Sequence, residues 1–209
     1  MTKIGDVMRL RGFKVAADAG SYIWYGKTRP GPWIDVFCFH LHSSGLGFSL
    51  SFGVEHPGLR AQVLAVASEI SPKSYAKLAA PPFNTLERPS INTFPATIPD
   101  PAARADPAVI DEALIDSIGA DLFGAIDSDA HYLRFLKNST GIFDWRRSAA
   151  AFRLLYVAHL YHSQGMSSAE FAEFSRSIPK TSLEGHILVR QEGWTAETYV
   201  DACIKRIWK

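Results

Sequence analysis

His40 and His42 stand two residues apart in WIDVFCFHLH, with Cys38 two residues earlier. In an extended strand, residues i and i+2 share a face, roughly 7 Å apart at ~3.4 Å rise per residue. That spacing suits two ligands of a divalent metal. A zinc centre needs three or four ligands and supporting partners behind them, and no CxxC, HxxEH or comparable partner occurs. His40 and His42 are therefore carried as metal candidates against the simpler account of a partly exposed strand end. A second constellation, Asp127-x-Asp129-x-His131, resembles a carboxylate and imidazole cluster for a divalent ion. Its place at an expected helix start has its own explanation, since acids stabilise the positive end of a helix. Either set would make the chain a metal-dependent hydrolase, which is the enzymatic alternative. His159 and His162 are i, i+3 neighbours on a very apolar helix and read as core or helix-end histidines. GxSxG, GxxxxGK[ST] and GxGxxG are absent, so hydrolase elbows and phosphate loops are unsupported. No catalytic residue is assigned, no cofactor is expected, and the reading leans away from an enzyme.

Charge points elsewhere. The net charge is +1, yet Asp106 to Asp129 holds seven acidic residues and no Lys or Arg. Such a run is either a solvated helix face or a docking surface for a basic protein, where opposite potentials speed encounter. The docking residues it offers are Asp111, Glu112, Asp116, Asp127 and Asp129. Phosphates would be repelled there, so nucleic acid is not the expected ligand.

The elements that position these residues follow from periodicity. Leu46, Phe48, Leu50, Phe52 and Val54 alternate with Gly and Ser, the mark of a half-buried strand. Phe37, Phe39 and Leu41 form the matching face of the strand before it. A short loop at Ser44-Gly45 pairs Leu41 with Phe48, Phe39 with Leu50 and Phe37 with Phe52. A one-residue slip would scramble both faces. The opposite face carries Cys38, His40, His42, Ser49 and Ser51 and reads as small and polar. With Ser21–Lys27 as a first strand, the result is a three-stranded antiparallel meander that helices must cover.

Residues 3–11 read as a helix ended by Gly12. His56-Pro57 starts another, whose Leu59, Val63, Val66, Ala67 and Ile70 stripe is placed on the Phe/Leu face. Seven of the 12 prolines lie between Pro81 and Pro107, so 80–105 reads as an irregular connector. Asp106-Pro107 and Asp127–Asp129 start helices. Asp144 caps a long one reaching about Ser163, apolar on nearly every side. Ser167 to Glu170 and Thr181 to Glu184 have capping-box spacing, and a last helix runs from Ala196 to about Trp208. The fold class is α+β with an all-helical C-terminal part. The sheet-and-helix domain covers 1–138, and 139–209 is a helical extension packed on it as one globular unit.

Cys38 and Cys203 sit singly in apolar strings and read as reduced core thiols. No apolar stretch reaches the ~18 residues of a membrane span, and no signal peptide is evident, so a cytoplasmic location is expected.

The order of helix, Gly12-Phe13, Tyr22–Trp24 and alternating strands ending in Ser51-Phe52-Gly53-Val54 resembles the DUF4304 family of uncharacterised bacterial domains. Asp106–Leu136 is similar to that family's helical second half, so the likeness covers roughly residues 1–138. It implies an α+β domain, and with it membership of a group in which some proteins are proposed to neutralise bacterial toxins. The leading expectation is a non-enzymatic, cytoplasmic immunity protein occluding a basic toxin domain. The further alternative is a structural or regulatory subunit whose helical C-terminal part oligomerises; the sequence leaves the oligomeric state open.

Overall fold

The computed structural model describes residues 2–18, 22–41, 48–74, 90–91, 115–116, 123–137 and 150–209. The chain divides into two compact units, Met1–Glu55 with Glu87–Ala125 and His56–Leu86 with Ile126–Lys209. It thus passes between units at 55/56, 86/87 and 125/126. No helix of the described residues is long and apolar enough to cross a membrane.

The first unit opens with α1 (Thr2–Leu10). Gly12 ends it at φ 80°, the left-handed conformation that glycine adopts without a Cβ penalty. There Phe13 N–H reaches the Met8 carbonyl at 3.0 Å, closing the helix end. Five strands follow among the described residues, β1 (Lys14–Asp18), β2 (Tyr22–Thr28), β3 (Ile34–Leu41), β4 (Phe48–Glu55) and the two-residue β5 (Ser90–Ile91), antiparallel in sequence order. The fold is α+β, and the expected meander is its centre, β2-β3-β4. The outer strands escaped the pattern for physical reasons. KVAAD has no alternating apolar face, and a bulge between Val15 and Ala17 breaks its register. Ser90–Ile91 is too short to have a period.

The β3–β4 register is the one expected: Leu41 opposite Phe48, Phe39 opposite Leu50, Phe37 opposite Phe52. Phe37 meets Phe13 at 5.2 Å and Phe123 at 5.3 Å between ring centroids, both edge-on. Tyr25 stands edge-on to Phe39 at 5.7 Å. Such pairs contribute ~0.5–1.5 kcal/mol each beyond the area they bury. A Cβ on Gly5 would come within 3.6 Å of the Tyr25 hydroxyl, so α1 lies over this face, and its Ile4 and Met8 are buried. The opposite face is not a wet one at Trp24, Val36 and Cys38, which are all buried. The side chains of His40, Ser49 and Ser51 lie outside the described residues.

The second unit is helical: α2 (Pro57–Ile70), α3 (Asp129–Lys137), α4 (Ala150–Ser163), α5 (Ser168–Ser175), α6 (Lys180–Glu184), α7 (Ile187–Arg190) and α8 (Ala196–Ile207). His56 caps α2, its Nδ1 accepting from Leu59 N–H at 3.0 Å, and Pro57 occupies the first turn. The apolar stripe of α2 is taken up by α4 and α8. α4 offers apolar side chains in every direction over Ala150–Ala158. Each of the other helices of the unit touches α4, and Ala150 to Ala158 are buried without a break. Residues 141–149, with the expected Asp144 cap, lie outside the described residues.

The Ser167–Glu170 capping box is present in full. The one expected at Thr181–Glu184 is not. There Pro179 precedes α6 and no side chain caps the helix, and Glu184 instead accepts from Ala196 N–H at the start of α8. The second box belongs to Thr195 and Thr198.

Lys137, in the last turn of α3, holds its ammonium 5.1 Å from the ring centroids of both Tyr161 and Phe174. Replacing Lys137 with Ala should therefore lower stability by about 1 kcal/mol, and Lys137→Arg should retain most of it. Urea unfolding of the two variants measures the difference.

Candidate functional site

The structure sorts the expected docking acids by unit. Asp116 belongs to the first unit, Asp127 and Asp129 to the second; Asp111 and Glu112 lie outside the described residues. Asp116 is 62% exposed and gripped in bidentate fashion by Arg11, Nε to Oδ1 at 2.6 Å and Nη2 to Oδ2 at 2.9 Å. Those hydrogen bonds hold its carboxyl below the usual carboxylate range. Asp127 is 67% exposed, and its Oδ1 lies 2.5 Å from His131 Nδ1. Hydrogen bonding from Ser128, then from His131, lowers its carboxyl too. Asp129 opens α3, with its Oδ1 4.0 Å from His56 Nε2. Asp116 and Asp127 stay charged at neutral pH, yet each described acid has a basic group beside it. Their outward field is smaller than the bare sequence implies.

The metal alternatives fare differently. His42 and the His40 side chain lie outside the described residues; the backbone places His40 opposite Ser49 and Tyr22. Asp127, Asp129 and His131 do not converge. Asp127 and His131 close on each other, while Asp129 turns toward His56. Because His56 Nδ1 accepts from a backbone N–H, its neutral form carries the proton on Nε2, which faces Asp129 as a donor rather than as a ligand. No group of three or more His, Cys, Asp or Glu able to hold a metal occurs among the described residues.

Cys38 and Cys203 are buried and not joined in a disulfide. Burial pushes the Cys203 thiol up to about 12, so it has no thiolate to offer as a nucleophile. A cleft of about 370 Å³ opens between the end of α2 and α8, lined by Ile70, Trp194, Thr198, Asp201 and Lys205 among others. Its indole N–H already donates to the Ile70 carbonyl at 3.1 Å, and Thr198 is committed to its capping box.

Sequence reasoning passed over Arg29 and Asp35. Asp35 is 4% exposed on β3, and Arg29 Nε lies 2.9 Å from its Oδ1. Arg29 Nη1 also donates to the Phe123 carbonyl. The signal was available: in Asp35, Phe37, Phe39, Leu41, an acid occupies the inward parity of an apolar strand.

Compared with known proteins, the chain matches no family model, no curated protein and no solved structure.

Proposed function

We propose that the chain is a non-enzymatic protein-binding module, and within that class a cytoplasmic immunity protein that neutralises a basic bacterial toxin domain by occlusion. The observation that carries the docking part is the state of Asp116 and Asp127. Both are strongly exposed, and both are kept ionised by their neighbours. A partner's Lys or Arg would exchange with Arg11 and His131 for carboxylate oxygens already shaped to accept cations. Such contacts steer encounter and fix selectivity, while apolar contacts supply the hold. The toxin reading rests on the resemblance to the DUF4304 domains.

The reading expects a toxin gene beside this one, and the test is co-expression with it. The wild type should rescue growth. Asp127→Lys combined with Asp129→Lys should weaken binding to the purified toxin by roughly ten-fold or more, mostly through a slower on-rate. Unchanged binding across the charge reversal would remove the acidic docking surface. Absence of rescue would remove the immunity reading.

A further inference from the structure

Asp35 sits between Lys27 of β2 and Val54 of β4 in the sheet register. Its Oδ1 faces Arg29 Nε at 2.9 Å, yet among the described residues neither that oxygen nor the Nε and Nη2 of Arg29 has a hydrogen-bond partner of good geometry. Their attraction is therefore Coulombic rather than directional. Among the described residues, the directional bond of this guanidinium runs from Nη1 to the carbonyl of Phe123, 94 residues away in sequence. Arg29 thus bridges the β2–β3 turn and the chain at Phe123, and Asp35 supplies its counter-charge.

The charged groups that face Asp35 from the described elements are few. Arg29 comes from the turn and Lys27 from β2, with the Lys27 ammonium drawn over the Phe13 ring at 5.6 Å. From β4, Val54 brings no charge, and Glu55 is one register place along, on the other face of the sheet. Phe123 brings the carbonyl that Arg29 already uses. Against the two cations, burial is the larger influence and raises the Asp35 carboxyl to about 6.

We propose that Asp35, Arg29 and the Phe123 carbonyl form an acid-released latch. With Asp35 ionised, the guanidinium is held between carboxylate and carbonyl. When Asp35 takes a proton from solvent, Arg29 loses its counter-charge and turns outward to water, and the Phe123 carbonyl loses its donor. The ring contacts of Phe123 with Phe13 and Phe37 remain, so the release is local to the backbone at Phe123.

An NMR titration of the full chain tests this, following the Asp35 carboxyl carbon and the Arg29 Nε–Hε signal from pH 7.5 to pH 5. Both should move with one midpoint near 6, and the solvent protection of the Arg29 Hε proton should fall at least ten-fold across it. In Asp35→Asn the Arg29 signal should sit at its acid position throughout. An Arg29 signal that stays still while Asp35 titrates overturns the latch. So does an Asp35→Asn spectrum matching the wild type at pH 7.5. The wild-type titration decides the matter even where that variant fails to fold.

Discussion

Lowering the pH from 7 to about 4.5 should unfold the helical unit while the sheet unit still holds. Two imidazoles carry this expectation. Burial pushes His159 on α4 down to about 4, with His162 adding repulsion, and burial alone does the same to His186 before α7. The usual value is 6.5. Each folded value lies below the unfolded one, so the folded state holds fewer protons in between. Stability from this source is complete above pH 6.5 and is lost progressively as the pH falls toward 4. At 1.36 kcal/mol per unit, each histidine accounts for about 3 kcal/mol at most, and partial exposure brings the pair to roughly 5 kcal/mol.

The local chemistry agrees with the sign. Among the described residues His159 Nε2 is buried without a hydrogen-bond partner, so a proton placed there finds no acceptor among them. His186 Nδ1 accepts from Leu188 N–H at 3.2 Å, and a protonated Nδ1 cannot accept. Asp35 runs the other way. Its folded value is raised, so its contribution is complete below 3.8 and lost as the pH rises through about 6. Acid therefore favours the sheet unit at that residue while it erodes the helical unit. Hydrogen exchange resolved by peptide, at pH 7, 5.5 and 4.5, separates the two. His159→Leu and His186→Asn should each shift the acid midpoint of the helical unit downward; an unmoved midpoint in both would sink the explanation.

How much of this was legible in the sequence depends on whether the signal was periodic. The β3–β4 register could be read because a period of two admits one alignment of Phe37, Phe39 and Leu41 with Phe48, Leu50 and Phe52. Gly12, His56-Pro57 and Ser167–Glu170 could be read because caps are local chemistry. β1 could not, because Lys14 to Asp18 has neither alternation nor β-branched residues beyond Val15, and its partner β2 makes it a strand. The partners of α2 were not legible for a related reason: an apolar stripe says that a helix is buried, not that α4 and α8 are what it meets. Thr181–Glu184 had the spacing of a capping box, but Glu184 had a better donor at Ala196, which only the tertiary fold brings near.

Polar residues were hardest, because their roles depend on partners distant in sequence. Arg11 lies 105 residues from Asp116. Knowing that grip turns Asp116 from bare surface charge into half of an ion pair. Asp127 and Asp129 were recognised as helix-start acids, which is the part their sequence neighbourhood determines. Their pairing with His131 and His56 needed coordinates.

Arg153 is the strongest case, and its replacement should be costly. AAFRLLYVAHLY would place an arginine at the solvent side of an ordinary amphipathic helix, but α4 is buried without a break from Ala150 to Ala158. Arg153 is fully buried, and its Nε donates to the Leu136 carbonyl at 2.8 Å. That carbonyl belongs to the last turn of α3, where helical acceptors have no partners of their own and a cation meets the negative end of the helix. Arg153→Ala removes the donor and opens a cavity at the centre of the unit, and should cost about 3–5 kcal/mol. Arg153→Met keeps most of the volume and loses the donor, and should cost about 1–3 kcal/mol. Urea midpoints at unchanged m-value measure both. An alanine variant within about 1 kcal/mol of wild type would mean that the Leu136 carbonyl finds another donor. A methionine variant as unstable as alanine would mean that Arg153 acts through its charge alone. The expected order, wild type above Met above Ala, follows only if one side chain both fills the space beside α3 and closes its C-terminal end.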